Sequence, residues 1–360
     1  MTLPQRSPFA GYLWRGSCSL GQLTPNGAAQ QQRMGHDLRG IYVDRLKFLP
    51  ETFDPSTMRL RSTDVWRTRQ SAENLMIGLY GNDALARGLT SPTFQIETLP
   101  AEIDYLTFNT LRCPRIQQLV DSIQRDSKIL RHIALDQHSF QTQLSEMVQA
   151  GPTKMNQMSS NNMIIMEDLV DAILPRVCHG FPLQCDVGRN DDDAARNQRQ
   201  GDESRCITAA MADECLIVLA AQNEENWRDG KGIRELLQLG IGSLTGDIRA
   251  NLQDAVQEPG ASVHAPFRLY SAHDTTLLPL LGMLDSADMR WPPYASNLVF
   301  ELWKSPTKEH FVRVLYNGRV VITKSNWCDL GWCPLDIVLN YLGQFVVDDL
   351  TTKCEWRAPE

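Results

Sequence analysis

The stretch R268-LYSAHDTTLLPLLGM-L284 decides how the chain reads. Phe267 to Ser271 has the apolar alternation of a strand, and Leu277 to Leu284 the density of a buried helix. Between them lie His273 and Asp274, a base and an acid at a strand-to-helix join. In open α/β sheets such joins, at the carboxyl ends of the strands, are where ligands bind.

A second join of the same kind lies far upstream. Met58-Arg59-Leu60-Arg61 alternates as a strand end, and Ser62, Thr63 and Asp64 then offer caps to a helix. The apolar face of that helix is read as Val65, Ala72, Leu75, Met76 and Leu79. Before it, Thr24 as N-cap and Pro25 at the first helical position open another helix, with Met34, Leu38, Ile41 and Tyr42 on one face. Helix, strand, helix is half of a doubly wound α/β unit. Downstream, VRVLY and RVVIT flank Asn317-Gly318, a strong hairpin signal. Three segments result: 1–90 as the first part of an α/β core, 91–235 as a mostly helical insert, and 236–360 as the second part with the hairpin. The polar run 186–205 reads as a loop, and lacks the pattern of a calcium site.

The chain has 360 residues, 42% of them hydrophobic, and a formal net charge of -8. That balance offers no basic footprint for nucleic acid. Cys215 to Ala221 is too short to span a membrane and reads as a buried helix. Among nine cysteines, Cys178 with Cys185 and Cys328 with Cys333 could each close a short loop, or remain thiols. The spacings show no zinc pattern, and there is no Asn-X-Ser/Thr sequon.

The chemistry of the two joins converges on an anion. An arginine at a helix N-terminus adds a planar fork to a positive dipole end. A histidine can donate to a phosphate oxygen, and a neighbouring acid can protonate a departing alkoxide.

Arg61-Ser62-Thr63-Asp64 with Arg67-Thr68, Ser271-Ala272-His273-Asp274-Thr275-Thr276, and Gly21-Gln22-Leu23-Thr24 resemble signatures of the histidine acid phosphatases. The resemblance implies a three-layer α/β/α core with a helical cap, acting on phosphomonoesters of lysophosphatidate or phosphosugar type through a phosphohistidine. Carried over by motif, Arg61 clamps the phosphate with Thr63 beside it, His273 donates to the phosphate oxygens, and Asp274 protonates the leaving group. No cofactor or metal is implied. A homodimer is allowed, and the compartment by resemblance is extracytosolic (secretory pathway or lysosome) or mitochondrial.

One part of the family pattern is missing. The nucleophile belongs to an Arg-His-Gly-X-Arg-X-Pro motif on an early strand, and this sequence contains no Arg-His-Gly. Gln5-Arg6-Ser7-Pro8 echoes its tail but lies too close to Gly21. Loss of a nucleophile costs on the order of a million-fold in turnover. Loss of a central strand would leave a hole in the sheet. The expectation is therefore a natural product that begins upstream, ahead of the rival, a protein that binds phosphorylated ligands without turnover. Both readings require Arg61 and His273 on the same face of the fold.

Overall fold

The computed structural model describes residues 21–86, 94–110, 112–128, 164–181, 183, 207–256 and 265–355. Helix α1 (Pro25–Leu38) starts at Thr24, whose hydroxyl accepts the Gly27 N–H. It runs into a π-helical turn over Arg39–Arg45. The wider turn rotates the apolar face, so Val43 is fully buried while Ile41 is left 40% exposed. That corrects the sequence reading, which placed Ile41 on the buried face by assuming an uninterrupted 3.6-residue period.

Strand β1 (Met58–Ser62) precedes α2 (Trp66–Ala86), with Ala72, Leu75, Met76 and Leu79 buried as expected. α1 and α2 touch backbone to backbone. A Cβ on Gly35 would lie 2.0 Å from the Leu75 carbonyl oxygen, and one on Gly78 2.0 Å from that of Gln32. Strand β2 (Phe267–Ser271) pairs parallel with β1 over five residues, from Met58 opposite Phe267 to Ser62 opposite Ser271. Because side chains alternate, Met58, Leu60, Phe267 and Leu269 pack with α1 and α2. Arg61 and Tyr270 point to the other face. On its outer edge β1 bonds to Glu97, whose N–H donates to the Leu60 carbonyl and whose carbonyl accepts from Ser62. The two motif-bearing strands pair directly, and their ladder satisfies the facing backbone groups.

On the opposite face Tyr270 packs against α6 (Ile233–Asp254), on which α3 (Pro114–Asp126) lies in turn, and α7 (Asp274–Met283) follows β2. The intervening pair, α4 (Ile164–Cys178) and α5 (Ala209–Glu224), forms a separate apolar cluster around Val170, Ile173, Cys215 and Leu219. Cys215 to Ala221 lies within α5, but Ile217 is 71% exposed. α3 falls in the 91–235 segment yet packs on α6, and the Cys113–Cys354 disulfide ties it to the C-terminal helix. That bridge spans 241 residues and was not foreseen in the sequence.

Beyond α7, β3 (Leu298–Lys304) and β4 (His310–Tyr316) form an antiparallel pair, extended by β5 (Arg319–Val320) and β6 (Cys333–Pro334). Asn317 and Gly318 both have positive φ, 49° and 75°, as a type I′ hairpin turn requires. The inner face of this sheet, with Val312 and Val314, closes the main core against α6, α7 and α8 (Leu335–Gly343). α9 (Leu350–Cys354) ends the described chain. Cys328 and Cys333 are bridged as one of the two expected pairs. Cys178 is instead a free, exposed thiol, and Cys185 lies outside the described residues, as does the 186–205 run. Among the described residues no helix is long and apolar enough to cross a membrane.

Candidate active site

Parallel pairing in this register places the carboxyl ends of β1 and β2 side by side, so both turns emerge together. The Thr63 N–H donates to the Ser271 carbonyl, and the Ser271 hydroxyl donates to the Thr68 carbonyl. Arg61, Thr63, His273 and Asp274, 210 or more residues apart across the two turns, therefore share one edge of the sheet.

Arg61 is buried, 3% exposed. Its Nη2 donates to Asp104 Oδ1 at 2.7 Å, and the Tyr105 ring lies 3.7 Å from the guanidinium carbon. Asp104 Oδ1 also accepts the Leu106 N–H. Two buried atoms have no hydrogen-bond partner among the described residues: Arg61 Nη1 and Asp104 Oδ2. Below the ring, Asp247 accepts from the Tyr105 and Tyr270 hydroxyls, which anchors both aromatics.

His273 is half-buried at the N-terminus of α7. Its Nε2 lies 3.1 Å from Thr63 Oγ1, and Arg67 Nη2 approaches Nδ1 at 3.4 Å. Arg67 can only donate, so Nδ1 accepts and the proton sits on Nε2. Thr68 donates its hydroxyl to backbone carbonyls, leaving Thr63 to donate to Thr68 Oγ1 at 2.8 Å and to accept from His273. The result is a one-way relay from Arg67 through the imidazole to the Thr63 and Val65 carbonyls just ahead of α2. Burial holds the His273 pKa below its usual value, and the Arg67 charge lowers it further; Asp274 and Asp104 oppose the shift. The Thr63 hydroxyl, expected to meet substrate, is buried and spends its bonds on His273 and Thr68.

Asp274 opens α7, and its Oδ1 accepts the Thr275 N–H at 2.7 Å. Tyr294, in the loop ahead of β3, has a hydroxyl pushed up to about 12 by burial and then by the negative charges of Asp171, Cys178 and Asp274. Across the edge, His179 bonds to Thr24 and Asn26 at the start of α1, joining the α4 end to the core. Trp291 makes a second junction, packing against both the α4–α5 cluster and the cluster under α7.

Sequence reasoning did not find Asp104, Tyr105 or Tyr294. The first two meet Arg61 from 43 and 44 positions away, and no local periodicity marks them. Among the described residues no group of histidine, cysteine and carboxylate side chains could hold a metal ion. The assembled groups, two guanidinium ions, an imidazole and a carboxyl at a helix start, suit a bound oxyanion and proton donation beside it.

Comparison with known proteins agrees with that chemistry. The chain is 27% identical over 350 residues to lysophosphatidic acid phosphatase type 6 of Homo sapiens, covering 96% of this chain and 71% of that protein. It is 26% identical over 339 residues to 2-phosphoxylose phosphatase 1 of Homo sapiens, covering 90% and 62%. In structure it is similar to the Citrobacter braakii phytase, with a TM-score of 0.63 at 15% identity over 95% of this chain and 92% of that one. This likeness establishes the α/β fold. A family profile matches residues 12–317, and the chain belongs to the histidine phosphatase superfamily (branch 2).

Proposed function

We propose that the protein hydrolyses phosphate monoesters at the paired carboxyl ends of β1 and β2. The observation that carries this is the convergence of Arg61 with His273 and Asp274 on one sheet edge. Arg61 and His273 hold the phosphate oxygens, and Arg67 adds charge from the rim. Asp274 gives its proton to the leaving oxygen as the P–O bond breaks. Hydrolysis through a phosphohistidine needs a histidine nucleophile that attacks phosphorus as the ester P–O bond breaks; water then splits the N–P bond to release phosphate. Thr63 serves by orienting His273. Substrates of lysophosphatidate or phosphosugar type fit the relatives, with the α4–α5 pair choosing the leaving group.

The absence of Arg-His-Gly from the sequence favours a second reading, in which the same pocket binds phosphorylated ligands without turnover. One experiment separates the two: phosphate release from lysophosphatidate and from a 2-phosphorylated xyloside, together with direct binding of inorganic phosphate. For the hydrolase, Asp274→Asn lowers turnover by about 10²–10⁴-fold and leaves phosphate binding in place. Phosphate binding with no release from either ester, unchanged in Asp274→Asn, selects the second reading. Absence of both binding and release overturns the site.

A further inference from the structure

The buried pair beneath the site poses a physical problem. Taking a guanidinium and a carboxylate out of water costs more than their attraction returns unless further hydrogen bonds complete them. Here the completion is partial. Arg61 Nη2 and Asp104 Oδ1 are satisfied, whereas Arg61 Nη1 and Asp104 Oδ2 have no partner among the described residues. A buried donor left without a partner is rare and calls for a specific explanation, such as a bound ligand.

The surroundings of Arg61 are those of a clamp for the guanidinium itself. Its stem rises from β1, one in-plane edge is held by Asp104, and the Tyr105 ring covers one face at 3.7 Å. Asp104 is in turn fixed by the Leu106 N–H, and Tyr105 by Asp247. With Nη2 occupied, the buried guanidinium nitrogen left without a partner among the described residues is Nη1. We propose that Asp104 is a positioning residue. It acts through Arg61, locking the guanidinium plane so that Nη1 is aimed at the phosphate, with Tyr105 as the floor. This rests on the phosphate-site reading given above.

Charge and aim can be separated, because Asp104→Asn and Asp104→Ala both remove the negative charge but only alanine removes the acceptor for Nη2. The test is calorimetric titration of inorganic phosphate at one pH and ionic strength, with each variant also made in an Arg61→Gln background. Asp104→Asn is expected to bind phosphate on the order of tenfold tighter than Asp104→Ala, the worth of one hydrogen bond to a charged group. That gap is expected to close in the Arg61→Gln background, where there is no guanidinium to aim. Equal binding by the asparagine and alanine variants overturns the proposal, and so does a gap that survives Arg61→Gln. A chain in which Arg61→Gln alone leaves phosphate binding unchanged refutes the phosphate site itself, a separate result. If Asp104→Ala does not fold, Tyr105→Leu against Tyr105→Phe makes the same comparison. Phenylalanine keeps the floor and leucine removes it, with the same expected gap in sign and the same loss of it in Arg61→Gln.

Discussion

The two strand-to-helix turns look alike in sequence and are opposites in the fold. Arg-Ser-Thr-Asp at the end of β1 is buried from Arg61 to Thr63, whereas Ser-Ala-His-Asp at the end of β2 is half-buried throughout. β1 is hydrogen-bonded along both edges, to β2 and to Glu97, and its arginine is enclosed by Asp104 and Tyr105. The β2 turn instead presents a titratable ring and a carboxyl at a helix start. One turn supplies a fixed charge and the other supplies groups that can change protonation. A phosphoryl-transfer site needs both, because a clamp must not move and a proton donor must be able to reload.

If that division is right, the same kind of substitution has unequal consequences in the two turns. Arg61→Leu strands the Asp104 carboxylate in a buried setting, and a loss of about 3–5 kcal/mol in unfolding free energy is expected. Combining it with Asp104→Leu recovers part of that loss, since no unpaired charge remains. Asp274→Asn keeps an acceptor for the Thr275 N–H, and its stability is expected to change by less than about 1 kcal/mol. Urea denaturation of the three variants reads all of this, and equal losses at Arg61 and Asp274 break the comparison.

A smaller effect is expected where the turns are joined. Thr63→Val removes the acceptor of the His273 Nε2 proton and the donor to Thr68, both inside the fold. The loss expected is about 1–3 kcal/mol, the range for leaving a buried polar group unmade. Thr63→Ser, which retains the hydroxyl, is expected to recover most of it. A valine variant as stable as wild type would mean that the turns are held by their backbone contacts alone.

How far the sequence carried depended on the range of the forces involved. Both strands, the caps at Thr24, the helix faces of α2 and the Asn317-Gly318 turn are local patterns, and all were readable. So was the placement of Arg61, Thr63, His273 and Asp274 at the ends of the two strands, because each sits where strand periodicity stops and capping residues begin. The π turn after α1 was not legible, since it shifts a face without altering composition. The Cys113–Cys354 bridge and the Asp104–Arg61 pair were not legible either, because each joins distant positions that only the folded chain brings together. Thr63 was placed in the right neighbourhood and expected to meet substrate, whereas in the fold its hydroxyl faces His273.

The smallest effect tests the titratable side of the comparison. In the free protein burial and Arg67 hold the His273 pKa below 6.5, the value it has in the unfolded chain. Between the depressed pKa and 6.5 the unfolded chain binds more protons than the folded one, so this group makes stability fall as pH drops below 6.5 and contributes no difference above it. A bound anion reverses the preference, because it favours the charged ring. Anion binding is therefore expected to take up a proton and to strengthen as pH falls toward the depressed pKa of the free protein, by at most about tenfold per pH unit. Sulfate is the probe of choice, since it keeps its charge in this range while phosphate does not. Calorimetry in buffers of different ionisation enthalpy measures the proton directly. His273→Asn is expected to flatten the profile, and the Arg61 variants to lower it at every pH without changing its shape. A profile that stays steep in His273→Asn would move the proton to another group and leave the second turn without its assigned part.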